Sequence, residues 1–237
     1  STILRAMKTA AVIVAGGKSV RFGGEVPKQF RHVLGRPLLS WAVSRFEKAV
    51  SIDNIVVVAP EEYLLHIGDH IIDPFSFSKV TKIVVGGETR AESVLRGLKS
   101  LPISTGYVAI HDGARPLILP QDIDRVVELA HRERAAMIAV AATDTIKRVK
   151  DGYILATLDR QKIFQAQTPQ VFQYDLIMEA YRRAEQEGLE KYTDDASLLE
   201  AGGFKVRVME PSGPNFKVTT PIDLKLVEAL MKEEIDG

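Results

Sequence analysis

The chain has 237 residues, 46% of them hydrophobic, which is enough for one large domain with a substantial core. Its 31 basic and 31 acidic residues cancel, so the net charge provides no attraction to nucleic acid or to an anionic membrane surface. The sequence contains no cysteine, which excludes a disulfide framework, a thiolate metal site and a cysteine nucleophile.

Short, almost continuously apolar segments alternate with helical patterns up to residue 143. The apolar segments predict buried strands at 9–16, 54–60, 81–87, 106–112 and 135–143. Apolar residues at helical spacing predict helices at 37–50, 61–71, 89–101 and 121–134. This alternation predicts an α/β fold with a doubly wound, mostly parallel, Rossmann-like sheet, and we expect a single domain over residues 7–237.

The alternation ends at residue 144. Residues 144–168 hold an Asp-Gly turn signal between alternating residues, which predicts a β-hairpin arm that leaves the domain. Further elements are predicted at about 173–187 (helix), 195–203 (short helix), 204–210 (strand) and from Pro221 (helix). Because an isolated hairpin is marginally stable in water, we expect the arm to pack against a second copy of the chain in a homodimer.

The loop after the first strand, AGGKSVRFGGEVPKQ at 15–29, combines four glycines with Arg21 and Lys28. Glycine lets backbone N–H groups approach phosphate oxygens closely, and the two cations supply charge at the end of a strand. A P-loop would need a glycine at position 12, and a dinucleotide-binding GxGxxG motif would need one at 18 or 19; neither is present. We therefore predict a triphosphate site of another kind, against the alternative of a solvated loop with incidental basic residues.

The segment HDGARP, at 111–116, follows the fourth predicted strand. Asp112, at the C-terminal tip of that strand, is well placed to hold Mg²⁺, and Arg115 can clamp a phosphate. Alternatively, Asp112 caps a turn and Arg115 forms a surface ion pair, and the residues alone favour neither interpretation. We expect His111 to be a packed strand residue, because no second histidine accompanies it.

A third group of residues, at 86–93, follows the third predicted strand and opens a helix. Its backbone groups and the Ser93 hydroxyl converge near the same edge of the sheet. A helix start needs only a cap, so a ligand-binding and a purely capping interpretation both remain open.

The sequence shows no targeting segment. No apolar run approaches the ~20 residues that span a bilayer, and no signal peptide precedes the first strand. A cytoplasmic enzyme is therefore expected. Residues 1–6 stand before Met7 and the first strand, and we interpret them as a cloning remnant outside the domain.

Seven segments, in order, carry a resemblance to a known family. They are AGGKSVRFGGEVPKQ (15–29), VVGGETRAESVLRGL (84–98), HDGARP (111–116), DTIKRV (144–149), LDRQKIFQAQTPQ (158–170), YTDDASLLEAGG (192–203) and NFKVTTPIDL (215–224). Together they resemble the 2-C-methyl-D-erythritol 4-phosphate cytidylyltransferases over nearly all of the chain after Met7. The resemblance implies a nucleotidyltransferase of the non-mevalonate isoprenoid pathway, which joins CTP to a polyol phosphate and releases pyrophosphate. It also implies Mg²⁺ as cofactor and a homodimer.

The resemblance implies roles for individual residues. The catalytic cations would be Arg21, Lys28 and Lys217. The nucleotide would be bound by Ala15, Gly16, Gly17, Gly87, Glu88, Ser93 and Asp112, of which Asp112 would also hold the metal. The sugar phosphate would be bound by Gly113, Arg115, Thr145, Arg160 and Thr168, with Thr145 and Arg160 reaching from the arm into the neighbouring subunit. The chain departs from the family pattern at Ser19, where glycine is common, and at Gly113, where alanine is common.

Two other functions remain open at this stage. Ribitol 5-phosphate cytidylyltransferases share the loop and the strand-end motif, although the arm and the NFKVTTP segment favour the methylerythritol branch. A nucleotide-binding regulator without catalysis would be expected to lack Arg21 or Lys28, and both are present.

Overall fold

The computed structural model describes residues 7–16 and 26–236, so the predicted site residues Gly17 and Arg21, like the predicted remnant 1–6, lie outside the described residues. The strands, in chain order, are β1 (Lys8–Val14), β2 (His32–Val33), β3 (Arg36–Pro37), β4 (Asn54–Ala59), β5 (Val80–Val85), β6 (Thr105–Asp112), β7 (Ala135–Ala141), β8 (Lys147–Lys150), β9 (Tyr153–Thr157), β10 (Phe164–Gln173) and β11 (Arg207–Met209). The helices are α1 (Leu38–Lys48), α2 (Leu64–Ile67), α3 (Arg90–Lys99), α4 (Pro120–Glu133), α5 (Tyr174–Glu187), α6 (Asp195–Ala201) and α7 (Pro221–Asp236). None of these helices is long and apolar enough to cross a membrane.

Seven of the described strands form the central sheet, in the order β11-β7-β10-β6-β1-β4-β5. β10 runs antiparallel to both of its neighbours, and the other six strands run in one direction. Helices pack on both faces of this sheet. The predicted α/β fold with a mostly parallel sheet is confirmed.

The two faces of the sheet bury alternate residues of each strand. In β1, Ile13 packs in a cluster with Phe46 of α1, whereas Val12 packs on the opposite face with Leu98 of α3. All four side chains are completely buried. Burial from both sides explains why the central strands are apolar at almost every position.

The strand order reverses at β1. The chain builds β4 and β5 on one side of β1 and then crosses to β6 on the other side. The last residues of β1 and β6, Val14 and Asp112, are register partners. Ligands of doubly wound sheets bind at the carboxyl ends of the strands where the order reverses, so the loop after β1 and the segment after β6 meet at the expected position for a site.

The predicted hairpin is confirmed. β8 and β9 form an antiparallel sheet of their own. Asp151 and Gly152 have φ angles of 51° and 83°, the left-handed conformation that a two-residue type I′ turn requires. Much of the hairpin is exposed, including Val149 (56%), Tyr153 (78%) and Ile154 (63%). The homodimer that would cover these side chains stays a prediction.

The hairpin is shorter than the predicted arm of 144–168. Residues 164–168 lie in β10, whose first residues pair with β7 and whose last residues pair with both β7 and β6. The polar sequence QAQT has no apolar pattern, so only the two flanking strands reveal it as part of the sheet.

The predicted helix at 61–71 is broken. Only Leu64–Ile67 is α-helical, and 3₁₀ and π turns precede and follow it. Gly68 begins the π turn, at a point where glycine favours a helix less than other residues do.

Candidate active site

Both ends of the loop that follows β1 are attached to the edge of the sheet. The Ala15 N–H donates to the Val58 carbonyl of β4 at 2.7 Å, and the amide of the buried Gln29 donates to the Ala15 carbonyl at 3.3 Å. Lys28 begins a short 3₁₀ turn directly after Pro27. Because Gln29 is bonded to Ala15, its neighbour Lys28 lies beside the end of β1.

A small open pocket lies at the carboxyl ends of β1, β4 and β5 and at the start of α3. It is lined by Val14, Gly16, Pro60, Gly86, Gly87, Glu88, Thr89, Arg90 and Ser93. α3 begins with a capping box, in which the Thr89 hydroxyl accepts the Glu92 N–H and the Glu92 carboxylate accepts the Thr89 N–H. The Gly87 N–H donates to the Ser93 hydroxyl at 3.0 Å. Residues 86–93 therefore form both a helix cap and one wall of a pocket.

The Asp112 carboxylate, at the end of β6, is surrounded by three cations. Nε of Arg90 lies 3.1 Å from Oδ1, and on Oδ2 the distances are 3.2 Å to Nε of Arg115 and 3.6 Å to Nζ of Lys217. Burial raises the pKa of Asp112, but these cations outweigh the effect of burial and hold its pKa well below the usual range. Asp112 is therefore ionised at neutral pH.

Arg115 and Lys217 differ in their burial and in the strength of their contacts with other protein groups. Arg115 is mostly buried, and its Nη1 also donates to the Asn215 carbonyl at 3.0 Å. Lys217 has 39% of its side chain exposed, and its distance to Asp112 is longer than that of an ordinary hydrogen bond. Lys217 can therefore turn toward a phosphate more readily than Arg115.

Three hydrogen bonds hold the backbone and the neighbouring residues of Asp112 in position. The Thr168 hydroxyl accepts the Asp112 N–H at 3.0 Å, so its own hydrogen is directed to Nδ1 of the buried His111 at 2.9 Å. Nε2 of His111 lies 2.9 Å from the Arg115 carbonyl, which can only accept, so Nε2 carries the ring proton. Burial lowers the pKa of His111 to about 4, which keeps the ring neutral. The expectation that His111 is a packed strand residue is confirmed.

The Arg90 guanidinium joins Asp112 to a second carboxylate. Its Nη1 lies 3.0 Å from Oδ2 of Asp195, which has no exposed surface. The other oxygen of Asp195 accepts the Tyr181 hydroxyl at 2.6 Å. Burial lowers the pKa of Arg90, but Asp195 and Asp112 outweigh the effect of burial and hold the pKa above the usual arginine value.

The chain is similar to known proteins along nearly its whole length. A sequence model of the family described as IspD: 2-C-methyl-D-erythritol 4-phosphate cytidylyltransferase matches residues 9–233. The chain belongs to this family. The family and the enzyme class predicted from the sequence, a nucleotidyltransferase of the cytidylyltransferase type, are confirmed.

Individual members of the cytidylyltransferase family support the same assignment. The 2-C-methyl-D-erythritol 4-phosphate cytidylyltransferase of Syntrophus aciditrophicus is 42% identical over 228 residues, which is 96% of this chain and 97% of the relative. That of Pelotomaculum thermopropionicum is 42% identical over 230 residues, 95% of this chain and 94% of the relative. Among solved structures, the 4-diphosphocytidyl-2C-methyl-D-erythritol synthase of Anaerococcus prevotii matches with a TM-score of 0.86 at 26% identity, over 98% of this chain and 99% of its own. The cytidylyltransferase of Thermus thermophilus matches with a TM-score of 0.73 at 32% identity, over 93% and 98%.

Most of the predicted site residues that the structure describes lie at one edge of the sheet. At this edge are Ala15, Gly16, Lys28, Gly87, Glu88, Ser93, Asp112, Gly113, Arg115 and Lys217. Thr145 and Arg160 lie apart, exposed at the base of the arm, where Nη1 of Arg160 donates to the Thr143 carbonyl at 2.7 Å. Within residues 7–16 and 26–236, no hydrogen bond or ion pair joins either residue to Asp112. The predicted roles of all these residues stay predictions.

Gly113, one of the two departures from the family pattern, is closely packed. Its N–H donates to the Val14 carbonyl at 2.9 Å. A β-carbon at position 113 would lie 2.9 Å from Cδ1 of Leu39 and 3.0 Å from the Val14 oxygen. An alanine would therefore require Leu39 to shift, and glycine suits this chain.

No sequence pattern identified the residues that support Asp112 from other elements. Arg90, Asp195 and Asn215 received no role, although Asn215 donates to the Thr168 carbonyl at 2.8 Å and accepts from Arg115. Asp194 caps α6 through the Ser197 N–H, and the sequence places a second aspartate directly after it whose contacts the sequence does not reveal.

The position of Thr168 favours a supporting role over the predicted contact with substrate. The residue is buried, and its hydroxyl is used by Asp112 and His111. Replacement by valine is expected to lower the free energy of unfolding by about 2–4 kcal/mol, because a buried N–H and a buried ring nitrogen lose their partner. Thr168→Ser keeps the hydroxyl and should retain most of the stability. Urea denaturation of the three proteins measures both differences.

A different result would restore the predicted role of Thr168. If Thr168→Val were as stable as the wild type but had a raised Michaelis constant for the sugar phosphate, the hydroxyl would bind substrate.

Proposed function

We propose that this chain joins CTP to 2-C-methyl-D-erythritol 4-phosphate, giving 4-diphosphocytidyl-2-C-methyl-D-erythritol and pyrophosphate, as a step of non-mevalonate isoprenoid biosynthesis. Family membership and the names of its relatives support the reaction. The observation that carries the proposal is the ionised Asp112, held among three cations beside a pocket at the point where the strand order reverses.

The chemistry requires charge more than proton transfer. An oxygen of the sugar phosphate is already an anionic nucleophile, so it attacks the α-phosphorus of CTP in line, and the bond to pyrophosphate breaks as the new P–O bond forms. The obstacle is repulsion between two anions. Arg21, Lys28 and Lys217 would offset the charge that develops in the transition state, and Arg115 would hold the incoming phosphate in position.

Magnesium fits the residues at this site if the nucleotide supplies most of its ligands. The carboxylate of Asp112 is a hard oxygen donor of the kind that Mg²⁺ prefers. The residues that the structure describes contain no group of three histidine, cysteine or acidic side chains that could hold a metal by themselves. Mg²⁺ would therefore be held by Asp112, by phosphate oxygens and by water, and when bound it would neutralise charge on the phosphates.

The pocket beside Asp112 suits the nucleotide base. Its walls are largely backbone and small side chains at Gly16, Gly87 and Ser93, which leave room for a flat ring. A backbone carbonyl can accept a hydrogen bond from the exocyclic amine of cytosine, whereas uracil presents a carbonyl at that position and cannot donate. We therefore assign the base to this pocket and the triphosphate to the loop after β1.

The arm supports a homodimer in which each subunit completes the site of its neighbour. Exposed apolar side chains on β8 and β9 need a covering surface, and isolated hairpins are marginally stable. Arg160 lies at the base of this arm. A cytoplasmic location accords with a reaction that uses CTP.

A pyrophosphate-release assay tests the proposed reaction. The wild type is expected to release pyrophosphate from CTP with methylerythritol phosphate in the presence of Mg²⁺, and to do so far more slowly with ribitol 5-phosphate. Release with ribitol 5-phosphate alone would assign the protein to the other polyol phosphate. Binding of CTP without turnover of either substrate would identify a nucleotide-binding protein that is not an enzyme.

Lys217→Ala is expected to lower kcat by about 10²-fold with a small effect on the affinity for CTP, because one preorganised cation is lost where charge develops. Steady-state kinetics and calorimetry measure the two effects. Lys225→Ala, an exposed lysine of α7, is the matched control and should behave as the wild type. A raised Michaelis constant for CTP with an unchanged kcat would make Lys217 a ground-state binding residue instead.

A further inference from the structure

Arg90 occupies a position that the helix itself does not favour. It is the first residue of α3, where the helix dipole repels a cation. Its guanidinium is nevertheless held there by two carboxylates, with Nε at 3.1 Å from Asp112 and Nη1 at 3.0 Å from Asp195. The fork of an arginine can bridge two separate acids in this way, whereas a single lysine ammonium is a point charge.

Asp195 is the first residue of α6, where the helix dipole favours an acid, and its carboxylate contacts Arg90. The cap of α6 is supplied by Asp194. Asp195 is completely buried, and a buried carboxylate is costly unless it is paired and hydrogen-bonded. Its two oxygens are used by Arg90 and by the buried hydroxyl of Tyr181.

Asp195 also changes the charge balance around Asp112. Three cations, Arg90, Arg115 and Lys217, face Asp112, and Asp195 is the second carboxylate of the same ion-pair network. Without Asp195, the three cations would face one carboxylate. A divalent cation that approaches Asp112 would then meet stronger repulsion.

Building on the proposed function, we propose that Arg90 and Asp195 are positioning residues for the transfer reaction. Arg90 orients the Asp112 carboxylate for turnover. Asp195 offsets the charge of Arg90, so that Asp112 retains affinity for the cation that accompanies the nucleotide. Neither residue touches the reacting atoms.

Asp195→Asn tests this proposal because it removes a charge with almost no change in shape. The magnesium concentration for half-maximal turnover is expected to rise, and kcat to fall, each by about 10- to 100-fold, as when a residue that supports a metal ligand is replaced. Calorimetry without metal should show that CTP binds as tightly as to the wild type or more tightly, because the site has become more positive. General damage to the fold would weaken CTP binding instead.

Two controls separate charge from packing. Tyr181→Phe removes the hydrogen bond to Asp195 but keeps the carboxylate, so its magnesium midpoint should stay near the wild-type value. Asp124→Asn removes the charge of a carboxylate that accepts the Ser51 N–H. Ser51 precedes β4, so this carboxylate lies at the amino ends of the strands, far from Asp112 at their carboxyl ends. This variant should lose stability without any change in the magnesium midpoint.

A double variant keeps the test decisive if Asp195→Asn fails to fold. In Arg90→Gln/Asp195→Asn, both buried charges are removed, so the charge balance returns while the orientation of Asp112 is lost. Its magnesium midpoint should lie close to that of the wild type, and its kcat should stay low.

The outcomes that overturn the inference are distinct from failure of the proposed function. A wild-type magnesium midpoint and kcat in Asp195→Asn, or a strongly raised midpoint in the double variant, would overturn it. A wild type that binds CTP but releases no pyrophosphate would defeat the proposed function. In that case, calorimetric titration of CTP with and without Mg²⁺ would still show whether Asp195 governs binding of the cation.

Discussion

Asp112→Asn is expected to lower kcat by about 10³-fold or more, because it removes a proposed metal ligand and also displaces cations, and either effect alone is worth about 10²-fold. The asparagine keeps the shape of the side chain and its backbone bond to Thr168. It does not keep the negative charge that Arg90, Arg115 and Lys217 share. Single-turnover kinetics with CTP and methylerythritol phosphate at saturating Mg²⁺ measure the loss.

The affinity for CTP should separate this effect from unfolding. Without metal, Asp112→Asn is expected to bind CTP at least as tightly as the wild type, since three cations then face the triphosphate with no aspartate at that position. Asp124→Asn again serves as the control for loss of a hydrogen-bonded carboxylate elsewhere. If Asp112→Asn retained kcat within tenfold of the wild type, Asp112 would have no part in binding the metal.

A mixed dimer of two inactive variants is expected to regain activity. If Arg160 serves the neighbouring site, Lys28→Ala and Arg160→Ala homodimers are each nearly inactive, because every site carries one defect. In a mixed dimer, one site carries both defects and the other carries neither. With random reassortment half of the dimers are mixed, so roughly a quarter of all sites should regain wild-type chemistry, as two-fold symmetry requires.

The structure motivates this arrangement through the position of Arg160. The residue is exposed beside an arm that carries several exposed apolar side chains, and its described bond is to the Thr143 carbonyl of its own chain. A hairpin of this kind is marginally stable unless a further surface covers it. A second subunit would cover the arm and bring Arg160 to the neighbour's Asp112.

A pair of defects within the same site provides the matched control. Lys28→Ala and Lys217→Ala both fall in the site of their own chain under the proposal, so their mixed dimer has one defect in every site and should stay inactive. The two proteins are co-refolded, and the mixed dimers are isolated through two different affinity tags. In isolated mixed dimers of Lys28→Ala with Arg160→Ala, recovery is expected in half of the sites. An inactive Lys28→Ala/Arg160→Ala mixed dimer, or a monomeric protein in analytical ultracentrifugation, would contradict the proposal.

Local sequence predicted most of the elements because their signals depend on near neighbours. β1 and β6 could be recognised since strands covered on both faces are apolar at most positions. The Asp151-Gly152 turn could be recognised because few residues adopt a positive φ. The start of α7 followed from Pro221, a residue that favours the first turn of a helix, and the Thr220 hydroxyl before it accepts the Asp223 N–H at 3.3 Å.

β10 and Thr168 show where local signals were insufficient. After Phe164, the first half of β10 is mostly polar, and it lies in the sheet because β10 pairs with β6 and β7 on its two sides. The family resemblance implied that Thr168 binds the sugar phosphate. Only the packing of β10 against β6 shows that its hydroxyl points to His111.

The sequence by itself determined the alternation of the parallel strands with helices, the hairpin, the glycine-rich loop and the family, since each depends on residues close together in the chain or on whole motifs. Only the tertiary structure decided which groups pair inside the site. Arg90 and Asp195 are separated by 105 positions, and His111 and Thr168 by 57. A buried polar group must find a partner, but many residues of the right chemistry are available along a chain, and packing alone selects among them.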